Sequence, residues 1–350
     1  MLVWLLFFTG LRDRMRIPMQ KSYHIAIVGA TGAVGAELLG VLERRAFPVE
    51  GLRLLASARS TERNLRFHGE EIRVEELRAD SFATVDIAFF SAGGDISRKY
   101  VPIARDAGAV VIDNSSVFRM DPDVPLVIPE INGRDVPRHR GIIANPNCTT
   151  AVALMALYPL HLAFGVRRVF AASYQAVSGS GARAIAELKR QVEATRDDTL
   201  LIPEVYPHLI AFNVLPHVDA FLENGYTREE MKMQNEGRRI MHLPEFHASV
   251  TCVRVPVYRA HSVAVSAEFE RPVSVDEAHE VLAKAPGLDL LDEPQRNIYP
   301  TPLEAAGKDN CQVGRVRRDC ALENGLSFWV SGDQLLKGAA LNAVQIAELL

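Results

Sequence analysis

The sequence predicts an α/β protein of two domains, the first built on a parallel sheet, and three observations lead there. At 350 residues the chain exceeds what one hydrophobic core usually holds. Short apolar runs alternate with helix-patterned segments up to Cys148, and the pattern changes after it. The first apolar run ends in closely spaced glycines just before a helix pattern, where a βα unit makes its tight turn.

In order along the chain, "HIAIVG" (24–29) reads as a buried strand, and "GATGAVG" leads into the helix-like "AELLGVLERRAF". "LRLLAS" (52–57) and "VDIAFFSAGG" (85–94) are further apolar runs, and a helix pattern covers 96–108. "AVVIDNSS" (109–116) and "LVIPEI" (126–131) follow, so strands and helices alternate at the spacing of βαβ units in a parallel sheet. Beyond Cys148, "RRVFAASYQAVSGSG" (167–181), "ASVTCVRVPVY" (248–258) and "HSVAVSAEFE" (261–270) show more strand alternation and longer connections. Residues 336–350 return to a plain helix pattern.

Composition narrows the function. Charged residues make up 23% and the net charge is −4, which argues against a nucleic-acid polyanion as partner. Four cysteines, none in C-x-x-C spacing, are too sparse for a disulfide scaffold and unsuited to zinc, so reduced thiols in a cytoplasm and no metal are expected. The opening "MLVWLLFF" is far shorter than a membrane span and lacks the basic stretch of a secretory signal. Residues 1–21 read as an extension, or as sequence upstream of a true start at Met15 or Met19.

The glycine run Gly29-Ala30-Thr31-Gly32-Ala33-Val34-Gly35 has G-x-x-G-x-x-G spacing. After a strand and before a helix it offers backbone N–H groups to a phosphate, and its place in the first βα unit favours a dinucleotide over a bare turn. An NAD site has a carboxylate about twenty residues further on. This chain has Ser57, Arg59 and Ser60 there, a set suited to a 2′-phosphate and hence to NADP, although a solvated polar loop would read the same way.

Cys148 stands in "ANPNCTT", at what reads as a helix start. The positive end of a helix dipole lowers a thiol pKa from about 8.5, which suits a nucleophile for aldehydes or acyl phosphates. Position alone is equally compatible with a packed structural thiol.

Beyond residue 23 the chain resembles the aspartate-β-semialdehyde dehydrogenase family. The resemblance rests on "GATGAVG", "SAGG", "DNSSVFRM", "VIPEIN", "NPNCTT", "SYQAVSGSGA", "GYTREEMKMQNE", "RVPVYRAHS" and "KGAALNAVQIAE", in that order. It implies a Rossmann-type NADP-binding domain over 22–147, completed by 331–350 as the last helix returns to it. An α+β catalytic and dimerisation domain would occupy 148–330. The implied reaction is reversible, NADP-dependent conversion of aspartyl phosphate to aspartate semialdehyde through a cysteine thioester, in the biosynthesis of lysine, threonine, methionine and diaminopimelate, by a cytoplasmic homodimer.

By the same resemblance Cys148 is the nucleophile, His261 the acid–base group and Gln175 the residue that orients substrate. Histidine suits a proton shuttle near neutral pH, and a guanidinium suits a carboxylate. Arg254 would grip the substrate α-carboxylate, Glu229 the amine, and Lys232 and Arg119 the phosphate, with Asn147 polarising the carbonyl or capping the helix. Glu229 and Lys232, three apart, also fit an ordinary surface ion pair. Arg254 and His261 are seven apart, so an unbroken strand would point them to opposite faces; Pro256 or a bend near Tyr258 has to break the alternation. Ser91, Gly93, Ser178, Gly179 and Gln334 join Gly29, Thr31, Gly32, Ala33, Val34, Gly35, Ser57, Arg59 and Ser60 as the expected cofactor residues.

Two positions depart from the family pattern. Thr61-Glu62-Arg63 replaces small residues in the adenosine loop, and Asp333-Gln334 replaces an Asp-Asn pair. The alternatives are N-acetyl-γ-glutamyl-phosphate reductase, which has an aromatic residue and a proline where this chain has Thr149 and Thr150, and a catalytically silent homologue.

Overall fold

The computed structural model describes residues 21–194 and 201–350, so the extension expected for 1–21 falls outside it except for Lys21. Two sheets organise the chain. The first holds β1 (Tyr23–Val28), β2 (Val49–Ala56), β3 (Asn64–Phe67), β4 (Glu70–Glu76), β5 (Ile87–Phe90), β6 (Val110–Asp113) and β7 (Ile142–Ala144), in the order β3-β4-β2-β1-β5-β6-β7. Every neighbouring pair is parallel except β3 with β4. Ile25 to Val28 are consecutive and fully buried, as a strand covered on both faces requires.

Helices α1 (Ala33–Arg44) and α2 (Gly94–Asp106) follow β1 and β5. β1 lies between β2 and β5, so a crevice opens at the carboxyl ends of these strands, where doubly wound sheets take their ligands. The apolar run 126–131 does not form a strand: Leu126 makes one bridge with Ala144, and Pro129 then opens the short helix α3 (Pro129–Asn132). A proline has no N–H for a ladder, and its fixed φ suits the first helical position.

The second sheet is mixed: β8 (Val166–Gln175), β9 (His247–Arg254), β10 (His261–Phe269), β11 (Leu288–Leu290), β12 (Cys311–Arg318) and β13 (Gly325–Gly332), ordered β11-β12-β13-β10-β8-β9. Helix α4 (Cys148–Phe164) packs against it, and α6 (Arg228–Ile240), α7 (Val275–Ala283) and the short α8 (Pro302–Ala305) also contact it, while α5 (Ala182–Ala194) packs on the turn at Val177–Ser180. Ala151 to Leu157 of α4 are buried without a polar stripe, as in a helix enclosed on all sides. One apolar cluster runs from Val28 and Val111 of the first sheet through Leu154 and Leu157 to Val169 and Val263 of the second.

The last fifteen residues are not one plain helix. A single π-helical turn spans Leu336–Ala340, and α9 (Leu341–Ala347) continues from it. Leu336, Leu341, Val344 and Ile346 pack with Ile25, Ile27, Leu38 and Leu42, so the chain does return to the first domain. The buried Lys337 donates to Glu130 of α3 and to Gln345, which ties the π turn to the first domain by charge as well as by packing.

Candidate active site

The glycine loop forms a cradle at the end of β1. Gly29 has φ +88°, and a Cβ there would stand 2.7 Å from the Ser91 carbonyl oxygen; a Cβ on Gly35 would stand 2.3 Å from the Gly29 carbonyl oxygen. Any larger residue would fill the turn. Helix α1 begins after Gly32 with no side-chain cap and no acidic residue in its first turn, so its leading N–H groups at Ala33, Val34 and Gly35 remain available to a phosphate. Ser57, Arg59 and Ser60 follow β2, and the Thr31 hydroxyl lies 3.5 Å from that of Ser60. Ser91 and Gly93 follow β5, beside them. These residues fit the ends of a dinucleotide across three adjacent strands.

A second group of residues gathers at one end of the second sheet. Gln175 ends β8 and Arg254 ends β9, paired in register; His261 begins β10 opposite Gly332, which ends β13 just before Asp333 and Gln334. The expected break between Arg254 and His261 lies in the segment Val255–Ala260, where Val257 and Tyr258 accept hydrogen bonds from Val177 and Ser178 and Ala260 takes the left-handed φ of +70°.

Cys148 is the first residue of α4, half-buried. Asn147 caps that helix: its side-chain oxygen accepts from Thr150 N at 3.0 Å, and its Nδ2 donates to Glu229 Oε1 at 2.9 Å. Gln175 Nε2 donates to the same Glu229 oxygen at 2.9 Å and to the Thr149 hydroxyl. Lys232 Nζ lies 2.7 Å from Glu229 Oε2 and 3.1 Å from Asp219 Oδ2, so the pair expected from spacing forms, but Glu229 is buried. Arg119 donates to the Asn145 and Asn114 carbonyls and to Glu236 Oε1, which commits three of its N–H groups to the protein.

Glu236 was not among the expected residues, yet it binds both Arg119 (3.0 Å) and the Asn147 backbone N–H (2.7 Å). Positions 229, 232 and 236 are spaced i, i+3, i+7 on α6, a one-face signal present in the sequence.

Among the described residues, Gln175 Oε1, Arg254 Nε and His261 Nε2 are buried here without a hydrogen-bond partner. Arg254 Nη1 is held by the Ala176 carbonyl at 2.8 Å, and a Cβ on Gly179 would stand 3.0 Å from Nη1 and 3.2 Å from His261 Nε2. Unpaired buried donors and acceptors cost stability unless a ligand satisfies them, so this set fits a small polar substrate. Gln334 is satisfied at both ends by the protein: it accepts from Ala260 N at 2.7 Å and donates to the Ser178 hydroxyl.

The electrostatics correct one expectation. Burial, then the Glu229 carboxylate, pushes the Cys148 thiol up to about 11, against the pull of Arg119, Arg254 and Lys232. On this balance the thiol lies above its usual range rather than below it. Burial, then Arg254, pushes His261 down to about 3, against Glu229 and a hydrogen bond with the Ala260 backbone. Burial disfavours the Glu229 charge, but Lys232, Asn147 and Gln175 override it and hold that carboxyl down at about 2. The resting site thus holds a neutral thiol, a neutral imidazole and a fixed Lys232–Glu229 ion pair.

Among the described residues no group of three or more His, Cys, Asp or Glu side chains is placed to hold a metal, and no helix is long and apolar enough to cross a membrane.

Comparison with known proteins gives these features a context. Residues 24–139 match a family model described as semialdehyde dehydrogenase, NAD binding domain, and residues 157–337 match semialdehyde dehydrogenase, dimerisation domain. The aspartate-semialdehyde dehydrogenase of Aquifex aeolicus is 52% identical over 333 residues, covering 94% of this chain and 98% of the relative. That of Bacillus subtilis is 46% identical over 340 residues, covering 95% and 98%. The crystal structure of aspartate semialdehyde dehydrogenase II from Vibrio cholerae complexed with ASA superposes with a TM-score of 0.92 at 44% identity, covering 95% of this chain and 98% of that one.

Proposed function

Because the chain belongs to the aspartate-semialdehyde dehydrogenase family, we propose that it catalyses the reversible, NADP-dependent reductive dephosphorylation of L-4-aspartyl phosphate to L-aspartate 4-semialdehyde, in amino-acid biosynthesis. The observation that carries this reading is the meeting of Cys148, at the first position of α4, with a buried polar set at one end of the second sheet, in which Gln175, Arg254 and His261 each keep one atom unpaired.

In the oxidative direction Arg254 holds the α-carboxylate through its free Nε, and Glu229, buried and charged, holds the substrate ammonium. Cys148 Sγ attacks the aldehyde carbon to form a thiohemiacetal, and its proton passes by way of His261 Nε2 to the substrate oxygen. Gly29–Gly35, Ser57, Arg59, Ser60, Ser91, Gly93, Ser178 and Gly179, backed by Gln334, would hold NADP, which when bound would supply the hydride acceptor. His261 takes the hydroxyl proton back as the thiohemiacetal becomes a thioester, which Gln175 and Asn147 orient. A phosphate oxygen, positioned by Lys232 and Arg119, then attacks the thioester carbon; the C–S bond breaks and His261 returns a proton to Sγ. Synthesis of the semialdehyde reverses these steps.

NADP is preferred to NAD in this reading because Arg59, Ser57 and Ser60 stand where an NAD site has a carboxylate. We assign residues 22–147 with 331–350 to cofactor binding and 148–330 to catalysis and dimerisation. A homodimer is supported by the open face of the second sheet, a hollow of about 360 Å³ lined by Phe170, Ala172, Thr251, Ala264 and Phe328, with Phe170 48% exposed. An aromatic side chain left open on a sheet face fits a subunit contact.

The test is NADP⁺ reduction with L-aspartate 4-semialdehyde, with and without phosphate, and with N-acetylglutamyl semialdehyde as competitor substrate. Phosphate-dependent turnover of the aspartate compound is expected, with Arg59→Ala raising the KM for NADP⁺ far more than that for NAD⁺. Turnover of the N-acetylated compound alone, or of neither, contradicts the reading.

A further inference from the structure

Arg259 lies two residues before His261 and carries no role in the chemistry above. Its guanidinium spans the seam between the two sheets. Nη1 lies 2.6 Å from Glu37 Oε1 on α1, the helix that opens at the glycine loop, and Nε lies 2.5 Å from Asp333 Oδ2. Asp333 is fully buried, and it is the hub of the turn that follows β13. Its carboxylate accepts from Gly307 N at 2.6 Å and Leu335 N at 2.9 Å, and its carbonyl accepts from Leu336 N and Gly338 N at 3.1 Å each. Gly338, in the π turn, backs directly onto Cys148: a Cβ there would stand 2.7 Å from the Cys148 Cβ. Gln334, next to Asp333, holds the N–H of Ala260, whose left-handed φ of +70° sets the direction in which His261 enters β10. An alanine held at positive φ is strained and persists only where its surroundings over-determine it.

We propose that Arg259 is a positioning residue that locks the dinucleotide-binding helix α1 to the elements carrying Cys148 and His261, so that cofactor, nucleophile and proton carrier keep one alignment. The inference rests on the reading of the site given above. One guanidinium joins α1 to Asp333, and Asp333 with Gln334 in turn fixes the backbone behind both reacting side chains. The planar fork of arginine suits two carboxylates set at an angle, which a lysine ammonium would serve with a single point charge.

Two variants separate this role from folding. Arg259→Leu leaves Asp333 buried without its cation and can lose the fold; Glu37→Gln removes only the arm to α1 and leaves the Asp333 pair in place. For Glu37→Gln, with thermal unfolding unchanged, kcat is expected to fall by about tenfold to a hundredfold, the cost of a misaligned reacting pair. The KM for aspartate semialdehyde should stay the same. The deuterium isotope effect on kcat, with substrate deuterated at the aldehyde carbon, should rise as hydride transfer becomes limiting. Glu37→Gln combined with Arg259→Lys should cost no more than the worse single variant. Full kcat with an unchanged isotope effect, or a loss confined to the KM for NADP⁺, overturns the proposal.

A second readout needs no turnover: the alkylation rate of Cys148, followed by peptide mass, with and without NADP⁺ at saturation. NADP⁺ should change that rate in the wild type and leave it unchanged in Glu37→Gln. An equal change in both proteins, or none in the wild type with NADP⁺ bound, overturns the proposal. If the wild type shows the NADP⁺ effect but does not turn over aspartate semialdehyde, the substrate assignment fails and the coupling stands.

Discussion

At the scale of single residues, Cys148 carries the largest difference between what its position promises and what its surroundings impose. A helix N-terminus favours thiolate, but burial and the neighbouring Glu229 carboxylate outweigh it and push the thiol up to about 11. In the proposed mechanism activation therefore belongs to the substrate complex, in which His261 would receive the proton. The expected consequence is that alkylation of Cys148 by iodoacetamide, in the absence of ligands, accelerates by about tenfold per pH unit from pH 7 to 9 without levelling, as a thiol titrating far above that range must. A plateau near pH 7 would contradict this. The motifs around Cys148, Gln175, Arg254 and His261 marked them in the sequence as candidates, and the structure sets them at the start of α4, the ends of β8 and β9 and the start of β10. Their charge states were not legible there, because those depend on burial and on partners from other elements.

The elements that bring these residues together are the ends of β8, β9, β10 and β13, the start of α4, and one face of α6. The sequence predicted β8, β9, β10 and the helix start, for which apolar alternation and "NPNCTT" are local signals, but it did not predict β13. It left open how Arg254 and His261 share a site, and the structure answers with the Val255–Ala260 turn and the left-handed Ala260. It also missed the π turn at Leu336–Ala340, because one extra residue in a helical turn barely disturbs an apolar period, and such turns often sit at functional sites.

Glu236 shows what a spacing argument yields when carried one turn further along α6. It bridges Arg119 to the cap of α4, and its pair with Arg119 is buried, with side chains 8% and 3% exposed. Removing one partner of such a pair leaves a charge uncompensated. Glu236→Gln is expected to lose on the order of 3–5 kcal/mol in urea unfolding and to lower kcat/KM. A surface carboxylate at that position would change neither, and unchanged unfolding would show that the bridge carries no weight.

Across the whole molecule, the two sheets share α4 and the C-terminal segment, so the site stands at a seam that both domains build. The sequence showed two domains and the return of the last helix; it did not show the Lys337–Glu130 pair that fastens the returning segment to the first domain or the Arg259–Glu37 pair that joins the two domains, because each links residues more than two hundred positions apart. The buried titratable groups of that seam set a pH window for stability. His261 has a folded pKa near 3, below its ordinary 6.5, so the unfolded chain binds more protons between those values and stability falls as pH drops below 6.5. Glu229, held near 2, adds a further loss as pH falls below its ordinary 4.5. On the alkaline side the thiols of Cys148, pushed up to about 11, and of Cys252 and Cys311, pushed up to about 12, ionise first in the unfolded chain, so stability falls as pH rises above 9.0. The urea midpoint should therefore form a plateau from about pH 6.5 to about pH 9, the ordinary pKa values of histidine and thiol. His261→Gln should flatten its acid shoulder. A midpoint that rises as pH drops from 6.5 toward 5 would show that His261 is not held neutral.

The central claim, that Cys148 carries the acyl group, is tested most directly by rapid mixing of the enzyme with NADP⁺ and L-aspartate 4-semialdehyde in the absence of phosphate. A burst of one NADPH per subunit that then stalls is expected, with an aspartyl adduct found by mass on the peptide containing Cys148 and neither burst nor adduct in Cys148→Ala. A burst that survives in Cys148→Ala, or an adduct on Cys252, Cys311 or Cys320 instead, would contradict it.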